Sequence, residues 1–105
     1  MLSVKQFDDA FTAAGGRFFA NNYEYIADHI DLKSSELVDT LYLMGYDAAK
    51  SGTRTRISSS KRLIADNHGI RALKKVASSE RIRKDAVNNA KRILSDRFGI
   101  SHYDD

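Results

Sequence analysis

Tyr46-Asp-Ala-Ala-Lys-Ser-Gly-Thr-Arg-Thr-Arg-Ile57 is the stretch on which the fold of this chain turns. Read as extended chain, Ser51-Gly52 is a turn signal and Thr53 to Ile57 alternates β-branched side chains with arginines, which predicts a β-hairpin. Arg54 and Arg56 then project to the same side. Read as helix, the preceding segment runs through Gly45 to about Ser51, at a cost of about 1 kcal/mol for an interior glycine relative to alanine. The two readings place the arginines differently, because on a helix they stand about 200° apart.

Upstream of this stretch the spacing is that of a helix-turn-helix. Ile26-Ala27, Ile30 and Leu32 lead to a Ser34-Ser35 cap, then to Leu37, Val38 and Leu41, with Gly45 as a stop. With a hairpin over 46–57 the pattern resembles a winged helix. Two residues types depart from it: Glu36 and Asp39 stand where DNA-reading helices carry Arg, Lys or Asn, and Asp31 stands where the turn glycine is usual.

At the N-terminus, Ser3 and Gln6 have capping-box spacing, and Val4, Phe7, Phe11 and Ala14 recur at helical intervals, which predicts a helix from Val4 to Ala14 stopped by Gly15-Gly16. The aromatic cluster Phe18, Phe19, Tyr23 and Tyr25 has only Arg17 as a basic neighbour, so it reads as core rather than as a base-stacking platform. Downstream, Ser58-Ser59-Ser60 predicts a cap for a third long segment with Leu63, Ile64, Leu73 and Val76, broken at Gly69. Ser78-Ser79 predicts the cap of the last helix, with Glu80 in its first turn. There Ile82, Ala86, Val87, Ala90, Ile93, Leu94 and Phe98 share one arc, and Arg81, Lys84, Lys91 and Arg92 the other, up to a Gly99-Ile100 stop. Lys61 to Ile70 echoes Lys91 to Ile100 thirty residues later, which reads either as a duplicated unit or, as favoured here, as two amphipathic helix ends that converge on one pattern.

The expected fold is therefore mainly α, a single domain over 1–105 built as a bundle of four to five helices, with a winged-helix-like hairpin over 46–57 as the open alternative and a frayed tail over 101–105. Prolines and cysteines are absent, which fits short connections between helices and removes disulfides, thiolate metal sites and thiol nucleophiles. His29, His68 and His102 are too scattered to suggest a metal site, and no cofactor is indicated. No apolar run nears the roughly 20 residues of a spanning helix and no signal-peptide order is seen, so a cytoplasmic protein without a membrane partner is expected.

Charge is divided along the chain. Residues 1–50 carry four cationic against eight acidic side chains, net −4, and residues 51–105 carry thirteen against six, net +7, which together give +3. A polyanion is the partner this predicts for the second half. Lys50 to Arg62 mixes cations with hydroxyls, a chemistry suited to phosphate, although a single glycine and no Gly-Lys-Thr or Gly-Lys-Ser exclude a P-loop. The candidate nucleic-acid-binding residues are Arg54, Arg56, Lys61, Arg62, Arg71, Lys74, Lys75, Arg81, Lys84, Lys91 and Arg92. Asn88, near the wet face of the last helix, is the better placed of Asn88 and Asn89 to reach a base edge. Arg83 and Arg97 fall inside the apolar arc, where they are expected to snorkel or to pair with carboxylates of the acidic half.

The expected function is nucleic-acid binding through phosphate contacts, with DNA favoured over RNA and no catalytic residues. The alternative is a protein-interaction or self-assembly module, in which the acidic half of one protomer meets the basic half of the next to form a homo-oligomer. Arg62 and His68, five residues apart, also match the loose Arg-x(4 to 6)-His spacing of the HEPN ribonucleases. That resemblance implies an all-helical ribonuclease with this pair as its catalytic residues, although Leu63 takes the place where a polar residue usually follows the arginine.

Overall fold

Ser3 and Gln6 close the capping box their spacing predicts: Gln6 N–H donates to Ser3 Oγ at 3.1 Å, and Ser3 N–H to Gln6 Oε1 at 2.9 Å. They start helix α1 (Val4–Ala14), which has the expected bounds. The computed structural model describes residues 2–103, and the tail expected to fray therefore lies outside the described residues at Asp104-Asp105. After α1 come α2 (Gly16–Asp28), α3 (Ser34–Tyr42), α4 (Lys50–Ala65), α5 (Gly69–Ala77) and α6 (Lys84–Phe98). The mainly α expectation holds, with six helices rather than four or five, and no strand among the described residues.

The hairpin wing is not formed. Thr53, Ile57, Ser60 and Leu63 are buried along α4 at intervals of four, three and three residues. That stripe is helical, and it outweighs the short Thr-Arg alternation because an extended chain would put the buried Ser60 on the face opposite Thr53, Ile57 and Leu63. Ser58-Ser59-Ser60, expected as a cap, lies inside α4, with Ser60 fully buried. Nor does the preceding helix run on to Ser51. It ends at Tyr42, and Gly45 takes a left-handed φ of +84° in the loop that follows. From that loop the Asp47 carboxylate holds the start of α4: it accepts Thr53 Oγ1 at 3.0 Å and Arg56 Nε at 2.9 Å. At Gly52 a Cβ would lie 3.0 Å from Asp47 Oδ1, so the glycine that looked like a turn signal makes room for this carboxylate.

Two hydrophobic clusters share the middle of the bundle. Phe7, Phe19, Tyr23, Leu63, Leu73, Ile93 and Leu94 anchor the larger one, drawn from α1, α2, α4, α5 and α6. Phe18, Ile26, Leu37, Val38, Leu41 and Ile57 form the smaller one between α2, α3 and α4. The aromatic cluster is thus core, as its neighbours indicate. On α3 the outward residues include Glu36, Asp39 and Thr40, an acidic face unlike that of a DNA-reading helix. Gly15, at φ +80°, forms the junction between α1 and α2 with no residues to spare.

Helix α6 buries Ala86, Val87, Ala90, Ile93 and Leu94, the arc expected from the sequence. It starts at Lys84 rather than after Ser78-Ser79, because Ser79 Oγ accepts the Arg81 and Ile82 N–H groups, both at 3.1 Å, and folds residues 79–83 into a turn of their own. Gly99, at φ +64°, ends α6, and Ile100 N–H donates to the Leu94 carbonyl at 2.9 Å. The internal echo does not survive as a structural repeat: Gly99 is a left-handed stop, whereas Gly69 is the first residue of α5.

Candidate nucleic-acid interface

The eleven candidate cations do not form one surface. Several are bound to the chain itself. Arg56 donates from Nε to Asp47 and from Nη1 to the Ala14 carbonyl at 3.0 Å, tying α4 to the α1–α2 junction. Its side chain is only 29% exposed and that of Asp47 13%, so this arginine is structural and is removed from the candidates for phosphate contact. The expectation that Arg54 and Arg56 share a face fails with the wing, since Arg54 is exposed on the other side of α4. Lys61 donates to the Leu32 carbonyl in the α2–α3 connection. Lys75 reaches Asp8 at 3.4 Å and lies over the Phe11 ring at 5.1 Å. Arg92 meets Glu24 at 2.7 Å, and that hydrogen bond holds the guanidinium protonated above its ordinary range.

Arg71 stacks over the Phe7 ring at 4.3 Å, and with Lys74, Asn67 and Ile70 it lines an open depression of about 390 Å³. The remaining five, Arg54, Arg62, Arg81, Lys84 and Lys91, are exposed and have no carboxylate within 4.0 Å among the described residues. They fall into two sets. Arg54 and Arg62 stand eight residues apart on α4, whereas Arg81, Lys84 and Lys91 lie at the start and along the outer row of α6.

Lys84 and Lys91 of this second set line a groove. Between the 79–82 turn and α6 is a cleft of about 570 Å³, lined by Lys84, Val87, Asn88 and Lys91 of the helix and by Ser79, Glu80 and Ile82 of the turn. Lys84, Asn88, Lys91 and Ser95 follow one another at helical intervals, all exposed, with no carboxylate in the row. Lys91 lies over the Tyr103 ring at 5.6 Å, which brings the chain after α6 back along the same helix. Asn88 is exposed, while Asn89 donates to Asn21 Oδ1 at 2.7 Å and through Asn21 joins a chain that ends on the Tyr46 hydroxyl. The choice of Asn88 over Asn89 from the helical arc thus agrees with the packing. Sequence reasoning missed Ser79, Ile82 and Val87 as cleft residues; the available signal was the serine hydroxyl lying two and three residues before free amides, which marks a turn rather than a cap.

Carboxylates of the first half meet cations of the second within the chain. Besides Asp8, Glu24 and Asp47, Asp28 lies 3.4 Å from Arg97, which also approaches Glu24 at 3.9 Å. Arg97 thus meets the acidic half as expected, while Arg83 turns instead to Asp85, at 3.9 Å in its own half. The Tyr23 hydroxyl, beside Arg97, has its pKa raised by burial, a rise that the arginine partly offsets.

His68 tilts against Phe7 at 5.6 Å, and its Nε2 is buried without a hydrogen-bond partner among the described residues, while Arg62 is exposed. Among the described residues there is no cluster of three or more His, Cys, Asp or Glu placed to hold a metal ion, and no helix long and apolar enough to cross a membrane. Comparison of the chain with protein-family models, with curated proteins and with solved structures finds no match.

Proposed function

We propose that this protein binds nucleic acid through its phosphates, using the exposed cations of α6 and its leading turn, Arg81, Lys84 and Lys91, with Arg54 and Arg62 on α4 as a second contact. The observation that carries the reading is that these five have no carboxylate within 4.0 Å among the described residues, in a chain that pairs most of its other cations internally. Cations left in water beside a groove are the groups that release counterions when they meet a phosphate backbone. Phosphate is common to DNA and RNA, and with the acidic outer face of α3 turned away from that role, the preference for DNA drawn from the helix-turn-helix spacing carries no further weight.

The self-assembly reading needs acidic surface for a second copy to meet, and with Asp8, Glu24, Asp28 and Asp47 engaged within the chain that surface is reduced to the α3 side, around Asp31, Glu36 and Asp39. Nucleic-acid binding asks for no such surface. The test is a titration of fluorescent duplex and single-stranded oligonucleotides at low salt against wild type, Lys84→Glu and Arg56→Lys. Charge reversal on the outer row of α6 should abolish binding, and Arg56→Lys should leave affinity unchanged wherever the protein stays folded. Undiminished binding by Lys84→Glu contradicts the assignment of the α6 row.

A further inference from the structure

Phosphate contact explains the cations of the α6 cleft but not the rest of its lining. Ile82 is half-buried and Val87 only 9% exposed, and together they give the cleft an apolar floor. Asn88 from the helix and Glu80 from the turn supply an amide and a carboxylate, and the exposed Lys84 and Lys91 complete the lining. The volume of about 570 Å³ falls in the range of clefts that hold a small planar ligand. A nucleobase has an apolar face and a hydrogen-bonding edge, and its sugar links it to the phosphates of the backbone. We propose that the cleft takes a single unstacked base of the bound nucleic acid, and that the preferred ligand is therefore single-stranded or looped rather than fully paired.

The inference rests on the phosphate-binding reading above and deepens it. The base face would lie on Ile82 and Val87, Asn88 would address its edge as both donor and acceptor, and Lys84 and Lys91 would meet the flanking phosphates. Glu80 has a role here that it lacks in a purely phosphate-binding surface: a carboxylate on the wall repels a phosphate backbone but accepts from the amino group of a base. A base inside a duplex is stacked and paired, and its insertion would cost a few kcal/mol of unstacking, whereas a single strand offers it directly. The cleft opens between a turn and a helix rather than presenting a protruding helix, so it suits an inserted group better than a groove of B-form DNA.

The experiment compares a fluorescent single strand of about 12 nucleotides with its hairpin duplex, by anisotropy at low salt, on wild type, Asn88→Ala and Lys84→Ala. Asn88 is exposed and makes no hydrogen bond to the described residues, so its replacement leaves the fold intact. Wild type should prefer the single strand at least tenfold. Asn88→Ala should lose most of that preference by weakening the single strand alone, and Lys84→Ala should weaken both ligands. Equal affinities in wild type, or a single-strand preference that persists in Asn88→Ala, overturns base insertion and leaves phosphate binding standing. Failure of both ligands to bind overturns the two readings together.

Discussion

Arg54 and Arg56 show how two neighbouring residues of one type take opposite roles once helix replaces strand. Arg56→Ala removes the partner of a carboxylate that is mostly buried, together with a hydrogen bond to the Ala14 carbonyl, and should cost about 2 kcal/mol, below the range for a fully buried pair because the guanidinium keeps some contact with water. Arg54→Ala should stay within about 0.5 kcal/mol. Denaturant midpoints of the two variants decide it, and equal values contradict the assignment of Arg56 to the interior. At the base of the same helix, Lys50 Nζ lies 2.8 Å from Asp39, and this hydrogen bond and charge hold the Asp39 carboxyl below its ordinary range. The contact is therefore complete above the usual carboxylate range and is lost as pH falls through the lowered pKa of Asp39. Both groups are exposed, so the effect is sought in a carboxyl NMR titration rather than in stability: Lys50→Met should move the Asp39 midpoint upward, and an unmoved midpoint contradicts the pairing.

Helices α1 and α6 were legible in the sequence because each carries one unambiguous apolar arc, and α1 a capping box as well. The start of α6 and the first half of α4 were not. In α4 the helical stripe is built from Thr53, Ile57, Ser60 and Leu63, two of which are polar, so hydrophobic periodicity alone underrates it. The Thr53 hydroxyl is made tolerable by a contact from outside the helix, its donation to Asp47 at 3.0 Å, whereas the buried Ser60 hydroxyl has no partner among the described residues. Thr53 and Thr55 provide the test, since a strand puts them on one face and a helix does not. Thr53 is fully buried and Thr55 exposed, so Thr53→Asp should cost 3 kcal/mol or more, roughly the cost of a buried charge lying against Asp47, and Thr55→Asp should be nearly neutral. Similar melting temperatures for the two would restore the strand. Gly15→Ala belongs to the same scale. A Cβ there meets Arg56 Nη1 at 2.2 Å and φ is +80°, so the variant should lose about 1 kcal/mol or more in a thermal unfolding measurement. No loss would mean that the α1–α2 junction tolerates a side chain.

For the molecule as a whole, the division into an acidic and a basic half was the strongest signal in the sequence, and its meaning was only partly legible there. Net charges of −4 and +7 are read directly from the residues. Which cations remain available depends on how the helices meet, and that information is tertiary: Arg92 and Arg97 find Glu24 and Asp28 across 68 and 69 residues of chain. Of the eleven candidates, Arg54, Arg62, Arg81, Lys84 and Lys91 keep exposed heads without a carboxylate partner among the described residues, and three of them gather at α6. The only sequence signal for the cleft beside them was Ser79, which reads as a helix cap as readily as the turn it folds ahead of the helix. The central claim is that the outer row of α6 contacts phosphate. Its most direct test is the salt dependence of nucleic-acid affinity for wild type and for Lys84→Ala with Lys91→Ala. The account predicts a linear fall of log K with log salt for wild type, and a slope smaller by about 2 in the double variant. An unchanged slope, or no binding by wild type even at about 50 mM salt, contradicts it.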